Sequence, residues 1–288
     1  MRSERVKYVG RFAPSPTGPL HFGSLVAAVA SYLDARAHGG KWLVRMEDVD
    51  TPRCVPGADV DILRIIEHFG FAWDGPVLYQ SARTEAYREA LDRLRREGLA
   101  YPCSCSRKEA GNPVYPGTCR NTLREPGKPL AWRVRVDPVV VSFEDRILGW
   151  QRQNLAEEVG DFVVLRSDGL FAYQLAVVVD DAAQGVTDVV RGADLLDSTP
   201  RQIWLERLLD FPCPRYLHVP IATNAAGEKL SKQTLAPALR AGDAETELRA
   251  ALRFLGQNVP EDTGLHPREI LAWAVARWSL RHSPEHAH

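Results

Sequence analysis

Residues 11–24 hold the densest group of side chains able to do chemistry. The stretch reads Arg-Phe-Ala-Pro-Ser-Pro-Thr-Gly-Pro-Leu-His-Phe-Gly-Ser. A short strand-like run precedes it and an apolar helical run, Leu25–Ala37, follows. His21 and Gly23 therefore fall at the mouth of a helix. Strand, tight turn and helix N-terminus together make a phosphate site, because free N–H groups and the helix dipole face the turn. His21 can donate to a phosphate oxygen, and Gly23 lets a nucleotide lie against the backbone. A second basic element, Lys229-Leu230-Ser231-Lys232-Gln233, follows Gly227. Two lysines and a serine in such a loop suit a triphosphate whose negative charge shifts during reaction. A third group is Cys103, Cys105 and Cys119, three thiols within 17 residues. Structural zinc wants four ligands, and no histidine lies between His68 and His218. The local candidates for a fourth are Tyr115, Glu109 and water.

The elements that must position these groups are legible in outline. The first hundred residues alternate strand and helix: Lys7–Phe12 as strand, Ser24–Ala37 as helix stopped by Gly39-Gly40, Trp42–Met46 as strand. Asp59–Phe69 and Arg83–Arg96 read as further helices. This alternation predicts an α/β fold with a doubly wound, Rossmann-type parallel sheet. Near Tyr101 the texture turns Pro-, Gly-, Cys- and Arg-rich, with short strand-like runs at Ala131–Val136 and Phe162–Arg166. Residues 102–152 carry nine Lys/Arg against five Asp/Glu, a local +4 that hints at RNA contact. The α/β pattern resumes at Tyr173–Asp181, with Tyr173 expected in an apolar strand, and at Val186–Arg191. Asp197-Ser198-Thr199-Pro200 should cap a helix through Leu209. The expected division is a discontinuous catalytic part (1–100 and 170–235), a metal-bearing α+β insertion (101–169) and a helical C-terminal segment (236–288).

Composition bounds the rest. The chain has 288 residues, 45% hydrophobic and 25% charged, with net charge −1, so nucleic-acid binding must use local patches rather than a global field. No apolar run approaches the roughly 18 residues of a membrane span, and the N-terminus lacks a signal-peptide core. A cytoplasmic protein with no membrane partner is expected. Five cysteines, an odd count, argue against a disulfide framework.

These motifs together resemble the class I aminoacyl-tRNA synthetases of the glutamyl branch. His21-Phe22-Gly23-Ser24 is similar to the first class signature and Lys229–Gln233 to the second. Arg11–Gly18, Arg45-Met46-Glu47-Asp48-Val49-Asp50, Phe171–Asp181 and Val190-Arg191-Gly192-Ala193-Asp194 resemble further blocks. Ser24 stands where the first signature ends in His, and Gln233 where the second ends in Ser. Each change removes one potential phosphate contact. Only about fifty residues follow Gln233, too few for an anticodon-binding part. That brevity resembles the truncated glutamyl-queuosine tRNA(Asp) synthetases.

The resemblance implies an ATP-dependent ligase that activates L-glutamate without tRNA and passes it to the queuosine base at the wobble position of tRNA(Asp). It implies His21 and Lys232 as catalytic residues, and Gly23, Ser24, Lys229 and Ser231 beside them on ATP, which arrives with magnesium. Glutamate presents an ammonium and two carboxylates. Glu47 suits the first, and Arg11 and Arg191 the second. Phe12, Ala13, Pro14, Ser15 and Tyr173 complete the implied pocket. The same family's Cys-x-Cys, Tyr, Cys pattern fits Cys103, Cys105, Tyr115 and Cys119, implying one structural zinc with Tyr115 as fourth ligand. A monomer is expected. The rival readings are a truncated synthetase esterifying a tRNA 3′ end, a non-catalytic tRNA-binding module and a small-molecule nucleotidyltransferase. The two signatures with Glu47 and Arg191 weigh against the binding module, and the glutamate-pocket blocks and the basic insertion against the nucleotidyltransferase.

Overall fold

Strand β1 (Val9–Phe12) runs parallel to β2 (Lys41–Met46), with Val9 opposite Lys41 and Phe12 opposite Val44. β2 runs parallel to the short β3 (Leu78–Tyr79). The crossover from β1 to β2 is α1 (Phe22–Ala37), which buries Leu25, Val26, Val29 and Leu33. A parallel pair needs such a crossover. Its stop is steric as well as conformational: a Cβ on Gly40 would lie 2.5 Å from the Tyr8 carbonyl oxygen. The computed structural model describes residues 7–280 apart from 107, 112–113 and 223–236. Lys229, Ser231 and Lys232 therefore lie outside the described residues.

β9 (Asp188–Gly192) and β10 (Arg215–Val219) form a second parallel pair. β9 lies beside β1, where the Thr187 N–H donates to the Val9 oxygen at 2.9 Å, so both groups of strands form one layer. Successive residues along these strands enter opposite cores. Val190 and Leu217 join one core with α1, α2 (Ala58–His68), α7 (Ala244–Phe254) and α8 (Pro267–Val275). Val189 and Tyr216 join the other, with α3 (Thr84–Arg96), α5 (Tyr173–Gln184) and α6 (Thr199–Leu208). The same period of two puts Arg191 and His218 on the α5/α6 face, at the carboxyl ends of their strands.

A hairpin that the sequence reading did not anticipate extends this layer. β6 (Val140–Asp145) pairs antiparallel with β7 (Gly149–Asn154) and joins β10 in parallel, Tyr216 opposite Asp145. The short α4 (Leu155–Glu158) follows. β4 (Ala100–Cys103), β5 (Ala131–Val134) and β8 (Phe162–Leu165) form a separate antiparallel sheet. Two local expectations are corrected. Tyr173 opens a helix, not a strand: α5 buries eight successive residues, Gln174 to Asp181, between layers. A segment apolar all round carries no periodicity to separate helix from strand. Ser198 precedes α6 but caps nothing with its side chain. Its Oγ accepts from Gln174 Nε2 at 3.0 Å instead.

One buried carboxylate ties the N- and C-terminal parts together. Asp34 on α1 is fully buried. It accepts from Tyr8, from Arg146 Nη2 at 3.0 Å and from Trp278 Nε1 at 2.9 Å. Burial works to raise its pKa, but these donors outweigh it and hold it below 3.8. A lowered folded value contributes stability above the unfolded pKa that is lost as pH falls. Asp34→Ala is expected to destabilise the protein by about 3–5 kcal/mol at pH 7, since it strands a part-buried arginine. Urea unfolding at pH 7 and pH 4 checks this, with a smaller difference at the lower pH.

Candidate active site

A cavity of about 500 Å³ opens at the carboxyl ends of β1, β2, β9 and β10. Arg11, Ser15, Glu47, Tyr173 and Arg191 line it. Phe12, Ala13 and Pro14 form another stretch of its wall, and His21, Gly23 and Ser24 close it at the start of α1. The expected pocket residues that are described thus meet in one cavity, although they come from five separate elements and loops. His21 is the N-cap of α1. Its ring Nε2 lies 3.3 Å from Ser24 Oγ, so the hydroxyl that replaces the signature's second histidine sits within hydrogen-bonding distance of the first. The chain leaves the cavity at Ala222 and returns beside it, with Ala238 bridged to His21 and the Leu239 N–H donating to the Leu20 oxygen at 2.9 Å.

Behind the cavity lies a cluster of buried charge. Arg45 is wholly buried on β2. Its Nη1 donates to Asp181 Oδ1 at 2.6 Å and to Gln184 Oε1 at 3.0 Å, and its Nη2 to Glu47 Oε1 at 3.1 Å. Arg11 Nε donates to the same Asp181 oxygen at 3.3 Å. The two carboxylates respond differently. Burial would raise Asp181, but Arg45 and Arg11 overcome it and hold it below the usual carboxylate range. Burial raises Glu47, and the same two arginines do not fully offset it. Glu47 thus pairs with Arg45 at 3.1 Å and also faces the cavity. Tyr173 is also pushed up, first by burial and then by Glu47, so its phenol stays protonated and can donate.

Arg191 enters from β9. Its Nε donates to His218 Nε2 at 3.1 Å, its Nη2 to Thr199 Oγ1 at 2.8 Å, and its Nη1 lies 3.4 Å from the Tyr173 hydroxyl. Sequence reasoning missed Arg45, Asp181, Thr199 and His218 as parts of this site. Arg45 and Asp181 stood inside blocks already singled out. His218 carried no local signal, since its partners lie 27 and 73 residues away.

The cysteine group is not part of the cavity lining. The sulfurs of Cys103, Cys105 and Cys119 lie within 4.8 Å of one another. The Tyr115 hydroxyl is 3.3 Å from Cys103 Sγ and 3.6 Å from Cys105 Sγ, and Cys105 Sγ is 3.6 Å from Cys119 Sγ. A tetrahedral zinc with bonds of about 2.3 Å to sulfur spans ligand edges of roughly 3.8 Å. Three thiols and a phenol at these separations fit such an ion. Glu109, the other side chain considered, turns instead to the Ser106 N–H at 3.0 Å and to Arg124 at 3.0 Å. Burial pushes the Cys105 thiol up to about 11. Burial also works to raise Cys119, but backbone donors at Arg124 and Ser104 bring it down to about 6. Arg133 supports the group from behind, donating to Cys103 Sγ at 3.3 Å with its guanidinium 3.9 Å from the Tyr115 ring centre.

The raised Glu47 has a measurable consequence. An acid whose folded pKa exceeds its free value opposes folding once both states are ionised. Glutamine keeps an acceptor for Arg45 without the charge. Glu47→Gln is therefore expected to match or exceed the parent in urea unfolding at pH 7, and the gain should vanish as pH falls below the carboxylate range.

The family described as tRNA synthetases class I (E and Q), catalytic domain, matches residues 7–265. A protein of Dechloromonas aromatica named glutamyl-Q tRNA(Asp) synthetase is 62% identical over 284 residues, covering 95% of this chain and 94% of its own. One of Neisseria meningitidis serogroup B with the same name is 56% identical, covering 97% and 98%. Among solved structures, a glutamate-tRNA synthetase from Elizabethkingia anophelis superposes with a TM-score of 0.78 at 24% identity, over 95% of this chain and 66% of that one. A glutamate tRNA ligase from Elizabethkingia meningosepticum, in complex with its amino acid, gives 0.78 at 23% identity, over 96% and 65%. This chain thus spans just under two thirds of those two structures, whose likeness concerns the fold. With the parallel sheet and the length shared with the first two relatives, the chain belongs to the class I tRNA synthetases of the E and Q type, in the branch of the glutamyl-Q tRNA(Asp) synthetases.

Proposed function

We propose that the chain joins L-glutamate to ATP without tRNA, forming glutamyl-adenylate, and then transfers glutamate to the queuosine base at the wobble position of tRNA(Asp). The observation that carries this is one cavity lined by a carboxylate, Glu47, together with Arg11, Arg191 and the His21 helix mouth. A carboxylate beside two guanidinium groups complements an amino acid with one ammonium and two carboxylates. The relatives' shared name supports the acceptor.

In the first step an α-carboxylate oxygen attacks the α-phosphorus of ATP, and pyrophosphate leaves. The carboxylate is already a nucleophile at neutral pH, so the protein's task is alignment and charge stabilisation. Glu47 takes the ammonium, and Arg11 and Arg191 the carboxylates. Ser15, Tyr173 and the Phe12-Ala13-Pro14 stretch close around them. His21, with Gly23 and Ser24, receives the phosphates, and Lys229, Ser231 and Lys232 are assigned to the same chain of phosphates from the sequence alone. Magnesium comes with the nucleotide. In the second step a nucleophilic atom of the queuosine base attacks the acyl carbon and AMP leaves. Cys103, Cys105, Tyr115 and Cys119 would hold one zinc, which supplies a cross-link to a loop-rich segment rather than chemistry. The protein is assigned to the cytoplasm as a monomer.

The competing reading is esterification of a tRNA 3′ end. It is less favoured because the chain matches nearly the whole length of the glutamyl-Q relatives but only part of the glutamate-tRNA synthetase structures. Labelled glutamate with ATP should mark tRNA(Asp) only when queuosine is present, and removing the tRNA 3′ end should not matter. Label on queuosine-free tRNA overturns the proposal. Glutamate-dependent pyrophosphate exchange should run without tRNA and fall at least a hundredfold in Arg191→Ala, which loses a charged contact and leaves its partners unpaired. Elemental analysis should find about one zinc per chain, as a closed four-ligand site requires, and less in Cys119→Ser.

A further inference from the structure

His218 is wholly buried, yet it is a titratable residue surrounded by charge. It is the strand partner of Arg191, directly opposite it in the β9–β10 register and on the same face. Each ring nitrogen is engaged. Nδ1 lies 2.7 Å from Asp145 Oδ2, while Nε2 faces Arg191 Nε at 3.1 Å and Thr199 Oγ1 at 3.2 Å. A guanidinium nitrogen only donates. Nε2 must therefore accept, and Nδ1 must carry the hydrogen that goes to Asp145. The environment agrees: burial disfavours the charged ring, and Arg191 and Arg11 oppose it, although Asp145 favours it, and the net result lies below 6.5.

Asp145 is itself immobilised. Its Oδ1 accepts from the Ile147 and Leu148 N–H groups at 3.0 and 2.9 Å, and its Oδ2 also accepts from the His218 N–H at 3.0 Å. The guanidinium is thus held on two sides. His218 takes Nε, and Thr199 with the Leu195 oxygen (3.4 Å) takes both hydrogens of Nη2. Only Nη1 keeps a hydrogen not spoken for among the described residues, and it lies beside the Tyr173 hydroxyl on the cavity wall. An unanchored arginine on a long flexible stem would sample many poses. This one presents a single edge to the cavity.

We propose that His218, oriented by Asp145 in its neutral Nδ1–H form, is a positioning residue that sets the Arg191 guanidinium for a substrate carboxylate. The proposal rests on the reading that the cavity binds glutamate through Arg191. It separates from a merely structural role through two variants. In His218→Asn the amide nitrogen reproduces Nδ1 and keeps Asp145, but nothing accepts from Arg191. In His218→Gln the amide oxygen reaches the position of Nε2 and accepts from Arg191.

The test is calorimetric binding of L-glutamate, and separately of ATP, to the full chain and to its variants. His218→Asn is expected to weaken glutamate about tenfold or more, the scale of one hydrogen bond to a charged group, with ATP within about twofold of the parent. His218→Gln should bind glutamate within about threefold of the parent, since the acceptor is restored. Parent-like glutamate affinity in folded His218→Asn overturns the proposal, as does equal impairment of both variants. If His218→Asn shows no cooperative unfolding transition, Thr199→Val, which removes the other anchor, should weaken glutamate about threefold or more, and an unchanged affinity overturns the proposal. Arg191→Ala keeps the two levels apart. If it binds glutamate like the parent, the pocket reading falls and takes this proposal with it. If it loses glutamate while His218→Asn does not, only the positioning role falls.

Discussion

A guanidinium with no access to water must be neutralised where it lies, and Arg45 imposes that demand on the centre of the molecule. Burying an unpaired ion costs several kcal/mol or more. Arg45 is neutralised by Asp181 from α5 and Glu47 from the end of its own strand. Meeting that demand brings α5 onto β2, and the same helix carries Tyr173 at its first turn, so the aromatic wall of the cavity follows from charge balance two turns away. Arg11 shares Asp181 and is thereby drawn to the same centre. The asymmetry between the carboxylates follows too. Asp181 is shared by Arg45 and Arg11, whereas Glu47 pairs with Arg45 and also faces the cavity.

This ligase fold places its cavity where parallel strands end and neighbouring crossovers pass to opposite faces, the usual position for a ligand in an open α/β sheet. α1 covers one face of β1 and α5 and α6 cover the opposite face of β9. Side chains at the strand ends therefore converge from both halves. A reaction that asks for alignment and charge compensation, and for no protein nucleophile, is well served by rigid strands and a helix mouth.

Up to Arg96, β1, β2 and the three helices could be read from apolar periodicity, a local signal, but the two-residue β3 could not. The cavity residues were legible partly from charge type and partly through the family resemblance. What escaped depends on distance along the chain. β6 does alternate, with Val141 and Phe143 buried and Val140, Ser142 and Glu144 exposed, but its last inward position is Asp145, an acid where the pattern leads one to look for an apolar residue. That acid makes sense only beside His218. His218 in turn sits in a strand whose neighbours are buried as well, so nothing in the pattern distinguishes it. Tyr173 was misread because a helix buried on all sides has no polar stripe. Residue chemistry alone left Glu109, Tyr115 and water open beside the cysteines. The family resemblance pointed to Tyr115, whose hydroxyl lies 3.3 Å from Cys103 Sγ while Glu109 turns to Ser106 and Arg124.

The hairpin of β6 and β7 also bears on how such a chain can change over generations. It lies between two strands of the separate antiparallel sheet in sequence, yet it completes the main layer and delivers Asp145 beneath the sheet's only described histidine. Recombination that replaced residues 140–154 with a hairpin lacking a carboxylate at position 145 would leave a buried imidazole N–H with no acceptor, a penalty of about 1–3 kcal/mol. The two positions are thus tied as one heritable unit. Substitution at either alone carries that penalty, so the stretch is not exchanged without cost as a free-standing cassette.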